Sequence, residues 1–311
     1  MTLFGLGAMG QRHARILGTL EPHFEVAGAY DPNPAAPTPA GIDRLGSEAE
    51  AIGRAELVVI ATPIETHLGI VGRALAAGRH AFVEKPVCST AAEARSALAA
   101  ARFGARLFVG HSERFNPVVR ALAKLLRDEA VLAVDLRRVG PSRPCASGVL
   151  VNLGVHDFDL AAYLGGSEVS LRGAVGTGEA AASGPDAAHV VFSTAGGAAG
   201  HLYVDRAAPT KERAIELATA RWVYRGDLLG HRLVRVARSG AARADVPLPT
   251  DEPLAAQAVA MAEALDGGAA REIATGDDGI RALDLAERAA VLCAWSADGE
   301  VAENLSVDAR R

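Results

Sequence analysis

Two short stretches carry side chains whose types and spacing could do chemistry. Glu84-Lys85 closes the apolar run His80-Ala81-Phe82-Val83 and is followed at once by Pro86, while Asn152 and His156 stand four apart in VNLGVHDFDL. Charge at the end of an apolar strand is costly unless something uses it. A lysine so placed can donate to a substrate hydroxyl and stabilise the alkoxide that develops as hydride leaves. Glu84 is then placed to hold that lysine or a ribose hydroxyl. A spacing of four puts Asn152 and His156 on one face of a helix. Histidine titrates near neutrality, which suits His156 to take the hydroxyl proton, with Asn152 bonding the hydroxyl or the cofactor carboxamide without adding charge. Each feature has a plainer reading: a surface ion pair for Glu84-Lys85, a satisfied core histidine for His156. Together they describe oxidation of a carbinol, which requires a hydride acceptor.

The chain supplies one at its start. Leu3-Phe4 runs into Gly5-Leu6-Gly7-Ala8-Met9-Gly10 and then a helical pattern. In a strand–turn–helix context this GxGxxG spacing allows a tight turn at Gly5, close approach of a pyrophosphate at Gly7 and close helix–strand packing at Gly10. The amides of Gly5, Gly7, Ala8, Met9 and Gly10 would hold the phosphates at the helix N-terminus. Asp31 ends the second strand, where an acid bonds ribose hydroxyls and repels a 2′-phosphate. No arginine follows before Arg44, so NAD is expected rather than NADP. Thr62-Pro63 ends a third strand and His67 opens the next helix, so these three are expected on the nicotinamide side of the cofactor. The plainer readings are an Asp-Pro turn, helix capping by Thr66 and a structural His67.

Arg114 and Asn116 follow the strand Leu107–Val109, again at a carboxyl end, and are candidates for cofactor and substrate contact; packing at a domain junction competes for Arg114. Arg138 and Arg143 flank a glycine-proline turn, where guanidinium forks match a diphosphate; solvated arginines are the alternative. A metal site at His156-Asp157-Phe158-Asp159 is a poor fit, because the three ligands cannot share one helix face. No metal is expected.

These residues need elements to position them. Through residue 110, short apolar runs (Leu3-Phe4, Phe24–Tyr30, Leu57–Ala61, Ala81–Val83, Leu107–Val109) alternate with helical segments (Gln11–Leu20, His67–Ala77, Ala91–Phe103). That is the pattern of a doubly wound parallel α/β sheet. PNPAAPTPAGID holds four prolines in eight residues and reads as an extended loop, with the usual second helix reduced or lost. After Asn116-Pro117 a helix (Val118–Asp128) leads into alternating strands separated by turn signals, and two helices follow, Pro253–Leu265 and Asp277–Ala297. The expected second unit is α+β, with a large open, mostly antiparallel sheet. The division is 1–117 for the nucleotide-binding domain and 118–311 for the substrate-binding and oligomerisation domain.

Composition excludes several classes. A net charge of -5 with scattered arginines gives no footprint for nucleic acid. No apolar stretch approaches the length of a membrane span. The start of the chain lacks a basic leader. Cys88, Cys145 and Cys293 are widely spaced, fitting a reducing compartment, and a cytoplasmic location is expected.

Taken together, GLGAMGQRHAR, ATPIETH, VEKPV, GHSERFNP and GVLVNLGVHDFDL resemble the Gfo/Idh/MocA family of sugar and polyol dehydrogenases, essentially end to end. The resemblance implies a Rossmann domain, an α+β domain whose open sheet mediates homodimers or homotetramers, and action of Lys85 and His156 at the substrate carbon. GHSERFNPVVRAL, RRVGP and NLGVHDFDL are most similar to the UDP-N-acetylglucosamine and UDP-sugar-acid 3-dehydrogenase branch. Many members carry aspartate where this chain has Asn152, and the stretch SRPCAS after RRVGP is short. The implied substrate is a nucleotide sugar. The alternatives are a free sugar or inositol-type polyol, and a non-catalytic NAD-binding protein.

Overall fold

The protein is described from a computed structural model over residues 1–20, 23–141, 148–166, 168–178, 184–268 and 271–293. Arg143, Cys145 and the end of the expected last helix (294–297) lie outside the described residues. In chain order the elements are β1 (Thr2–Phe4), α1 (Ala8–Leu17), β2 (Gly28–Tyr30), α2 (Glu48–Arg54), β3 (Leu57–Ile60), α3 (Ile64–Ala76), β4 (His80–Glu84), α4 (Ala91–Ala99) and β5 (Leu107–Gly110). A 3-10 turn (Ser112–Phe115) leads to α5 (Pro117–Leu125) and β6 (Val131–Val139), and a π-helical turn (Leu150–Gly154) runs into α6 (Val155–Gly165). Next come β7 (Val169–Thr177), β8 (Ala187–Thr194), β9 (Ala199–Asp205), β10 (Glu212–Thr219), β11 (Trp222–Asp227), β12 (Arg232–Ala237) and β13 (Arg243–Asp245). The described chain closes with α7 (Pro253–Leu265), β14 (Ala274–Thr275) and α8 (Gly276–Leu292).

The first sheet has the order β14-β5-β4-β3-β1-β2. All its neighbours are parallel except β14, which pairs antiparallel with β5. Strands flanked on both faces by helices read as continuous apolar runs, as the four buried residues of β3 do. The strand order reverses between β1 and β3, and ligands of such sheets bind in the crevice beyond the carboxyl ends at that point. The glycine loop after β1, Asp31 after β2, Thr62 after β3 and Lys85 after β4 all open onto it.

Helix α1 begins three residues before the expected Gln11, with Gly7 as its N-cap, so the glycine loop is itself the helix start. Only the last three residues of Phe24–Tyr30 form a strand. The proline-rich segment is non-helical, and a seven-residue α2 follows it, capped by Ser47 accepting from Glu50 N.

The second sheet has eight strands, ordered β13-β12-β11-β10-β6-β9-β8-β7, with β6 and β9 the one parallel pair. Ala188, Val190, Phe192 and Thr194 of β8 point into the core beneath α6, while His189, Val191 and Ser193 face outward. The outer face is largely polar: Arg137–Glu212, Arg225–Glu216 and His201–Asp135 are cross-strand ion pairs, and His189 stacks on Tyr203.

The second half of the chain also returns to the first. β14 adds a strand beside β5, and Ala258, Met261 and Ile273 pack in one cluster with Leu3, Phe82 and Phe108. Thr275 then starts α8 with a reciprocal cap to Asp278. Among the described residues no helix is long and apolar enough to cross a membrane.

Candidate active site

The glycine loop divides its labour as the spacing requires. Gly5 has φ +87, and a Cβ there would meet Ala61 O at 2.7 Å. A Cβ on Gly10 would lie 1.9 Å from Gly5 O, so only glycine lets α1 sit this close to the strand end. At Gly7 nothing lies within 4 Å of a Cβ position. The backbone is bare there, at a helix N-terminus whose first turn carries no acid. This fits a pyrophosphate. Asp31 accepts from Leu6 N at 2.8 Å and from Asn33 N at 2.9 Å, fixing its carboxylate at the edge of the loop. Arg44, distant in sequence, folds back to donate to the carbonyls of Asp31 and Asn33. Among the chain's own residues, Gly5, Gly7, Ala8, Met9, Gly10 and Asp31 would thus hold the nucleotide. Thr62 and Pro63 border the same crevice, with Thr62 Cγ2 against Gly5.

Two expectations for this half are corrected. His67 is buried, and its ring nitrogens lie 3.0 Å from Pro86 O and 2.8 Å from Thr62 O. It braces the ends of β3 and β4 against each other and offers no free nitrogen to a cofactor. Glu84 does not hold Lys85. Its Oε1 lies 2.7 Å from His13 Nε2, and its Oε2 lies over Gly110, so the carboxylate ties β4 to α1 and β5.

Lys85 turns the other way, into the second half of the chain. It donates through Nζ to the main-chain carbonyl of Asn152 at 2.9 Å. Asn152 lies in the π-helical turn rather than in α6, so the expected shared α-helical face gives way to a wider turn that presents its carbonyl to the lysine. π-Turns inside helices are frequent at functional sites. His156 follows in the first turn of α6. Burial and the neighbouring Lys85 cation hold its imidazole well below the ordinary range. It is therefore neutral, and can accept a proton, across the physiological range.

Below this pair the charges are paired. Arg138, 2% exposed, donates to both oxygens of Asp157 (2.7 and 3.1 Å) and to Glu113 Oε1 at 3.1 Å. Burial opposes its charge, but the two carboxylates raise its pKa further. Arg114 grips Asp159 with two bonds of 2.8 and 2.6 Å and lies over the Tyr163 ring. Asn116 caps α5 and donates to Leu228 O. These three candidates are corrected: Arg138 is not presented to a diphosphate, Arg114 not to a cofactor, and Asn116 not to a substrate, because buried partners already occupy them. Arg114 does line a separate groove of about 1450 Å³ that contains neither Lys85 nor His156.

Sequence reading missed His13, His111, Glu113 and Arg213. Glu113 receives Arg213 Nη1 at 2.8 Å, and Arg213 keeps 38% side-chain exposure, a cation close enough to lower the His156 pKa. The one available signal was the acid-base pair in GHSER.

Comparison with known proteins agrees with this layout. Residues 1–111 match a family model described as an oxidoreductase family with an NAD-binding Rossmann fold, and residues 124–223 match the GFO/IDH/MocA C-terminal domain. The chain belongs to the Gfo/Idh/MocA oxidoreductases. It is 30% identical to the rhizopine catabolism protein MocA of Rhizobium meliloti, over 93% of each chain. It is 28% identical to UDP-N-acetylglucosamine 3-dehydrogenase of Acidithiobacillus ferrooxidans over 53% of this chain and 54% of that one. The structure of that enzyme superposes with a TM-score of 0.82 at 23% identity, covering 94% of this chain and 97% of the other. The structure of a protein named as a putative myo-inositol dehydrogenase from Sinorhizobium meliloti gives 0.76 at 27% identity, covering 94% and 96%. This member is an NAD-binding oxidoreductase of the sugar-dehydrogenase type, acting on CH–OH groups.

Two outcomes test the site. Arg138→Ala should cost about 3–5 kcal/mol of stability in urea unfolding, because it strands a buried carboxylate, whereas Arg138→Met with Asp157→Leu should recover most of the loss. In an NMR titration His156 should ionise below 6.5, and Lys85→Met should raise that value by removing a nearby cation. The rate of alcohol oxidation should accordingly hold as pH falls through 6.5 and decline only below it.

Proposed function

We propose that the enzyme oxidises a ring hydroxyl of a nucleotide-linked sugar, the 3-hydroxyl of a UDP-N-acetylhexosamine or its uronic acid, with NAD preferred over NADP. The observation that carries the reading is the convergence of Lys85 and His156, one from each half of the chain, at the mouth of the nucleotide fold. Lys85, held by the Asn152 carbonyl, donates to the hydroxyl oxygen and stabilises the alkoxide. His156, neutral, takes the hydroxyl proton. The nicotinamide supplies the hydride acceptor when bound. Preorganised donors of this kind act mainly in the transition state.

The substrate class rests on Asn152 at a place where polyol enzymes commonly carry aspartate, and on the likeness to the UDP-sugar enzyme. With Arg138 committed to Asp157, Arg213 is the exposed cation beside the site that can meet a diphosphate or a uronic carboxylate. Binding energy from such a remote group orients the ring, so an unlinked hexosamine should lose turnover as well as affinity. The similarity to MocA and to inositol dehydrogenase supports a second reading, a free polyol. The NAD preference rests on Asp31, whose fixed carboxylate repels a 2′-phosphate. The two domains divide near residue 117 in this reading.

The deciding experiment incubates the enzyme with NAD or NADP and a panel of UDP-sugars, hexosamines and inositols, following reduced nicotinamide and the keto product by mass spectrometry. A 3-keto UDP-sugar formed faster with NAD is expected. Oxidation of inositol with no reaction on any UDP-sugar would transfer the case to the polyol reading.

The outer face of the eight-stranded sheet is proposed to join copies into a homodimer or homotetramer. Its interleaved ion pairs and stacked rings suit a polar self-interface, in which exposed Val175 and Val191 are covered. Light scattering should give a dimer or larger at micromolar concentration, and a stable monomer would refute this assembly.

A further inference from the structure

Behind His156 lie ring nitrogens that no group among the described residues meets. His111, the first residue after β5, is 1% exposed, and neither of its nitrogens has a hydrogen-bond partner. His156 Nδ1 is likewise buried and unpartnered. The two rings meet edge to face, with centroids 6.4 Å apart and planes at 86°. On its other side His111 Nδ1 lies 3.8 Å from Asp159 Oδ2, and Asp159 is clamped by Arg114.

Buried polar nitrogens without partners are uncommon, and three in one place call for one explanation. The rings are too far apart to bond directly. A single ordered water between the two rings would meet a nitrogen of each and make the usual two or more bonds. We propose that His111 is a positioning residue for His156: one bridging water accepts the Nδ1 hydrogen of His156 and donates to His111 Nε2, while the His111 Nδ1 hydrogen is directed at Asp159 Oδ2, 3.8 Å away. The chain His156–water–His111–Asp159, anchored by Arg114, keeps the lone pair of His156 on Nε2, the nitrogen left to face the cleft. A base whose partner fixes its tautomer is the logic of every catalytic triad; here the partner is a second imidazole.

The surroundings allow it. His111 is faced by Lys85 from the end of β4, Arg114 from its own turn, Asp159 and His156 from α6, and Asp278 from α8. Burial dominates and lowers its pKa, with Asp159 only partly offsetting it, so the ring is neutral, one nitrogen donating and the other accepting. Lys85, Arg138, His111 and Arg213 act on His156.

This inference rests on His156 as the base, and its test separates the two. Long-range proton–nitrogen correlation spectra of the full-length protein, labelled at histidine, report the tautomer of His156 without substrate. The wild-type should show the hydrogen on Nδ1. His111→Phe should move it toward Nε2 and lower kcat roughly 10- to 100-fold, the range for loss of an imidazole's outer partner, with NAD affinity unchanged. His111→Gln, which restores a polar partner, should recover part of both. An Nε2 hydrogen in the wild-type, or an unchanged tautomer in His111→Phe, overturns the proposal. Should His156→Ala keep its turnover while the tautomers behave as expected, the positioning stands and the assignment of His156 as the base falls.

Discussion

The two buried arginine–aspartate clamps under α6 decide where everything else can be. Asp157 and Asp159 leave the helix on either side of Phe158, one toward β6 and one toward the turn after β5. Each finds a guanidinium that would be intolerable there alone. With both bonded in pairs, the helix cannot rotate or slide without breaking a charge-assisted bond inside the core. His156, one residue before the first of these aspartates, is thereby set in rotation and depth. The pairs are better understood as fixing register than as adding stability, since apolar replacements of similar shape often match such pairs energetically.

The same clamps connect the two sheets. Arg114 comes from the turn that ends the nucleotide-binding half and Arg138 from the sheet of the second half, so α6 is held from both sides. Lys85 crosses the same junction to reach Asn152. His67 performs the equivalent service within the first half, locking the end of β3 to the end of β4. The proposed pair, Lys85 and His156, therefore sits where the two sheets are tied by directed polar bonds, and a site held this way loses little entropy when substrate arrives.

Much of this was legible in the sequence, for identifiable reasons. The glycine loop is legible because its signal is a local turn geometry, and Lys85 stands out as a charge at a strand end. The spacing of four that would put Asn152 and His156 on one α-helical face did not survive, because Asn152 lies in a π-helical turn. What misled was chemistry with distant partners. Arg114 meets Asp159 from 45 residues away and Asn116 meets Leu228 from 112 away, and nothing in either neighbourhood announces that the side chain is taken. A buried clamp and a ligand-binding arginine look alike in one dimension. Glu84 failed in the same manner, its partner being His13 on the first helix. β13 and β14 are too short to leave any alternation to read.

The late strand β14 has a consequence for how the protein is made. Its partner β5 is an apolar edge, LFVG, that emerges from the ribosome long before residues 274–275 are synthesised. At usual rates of translation that interval is on the order of ten seconds. During it the nascent first sheet exposes an unpaired rim of the kind that recruits other chains. The cell must shield that rim until Ala274 and Thr275 arrive.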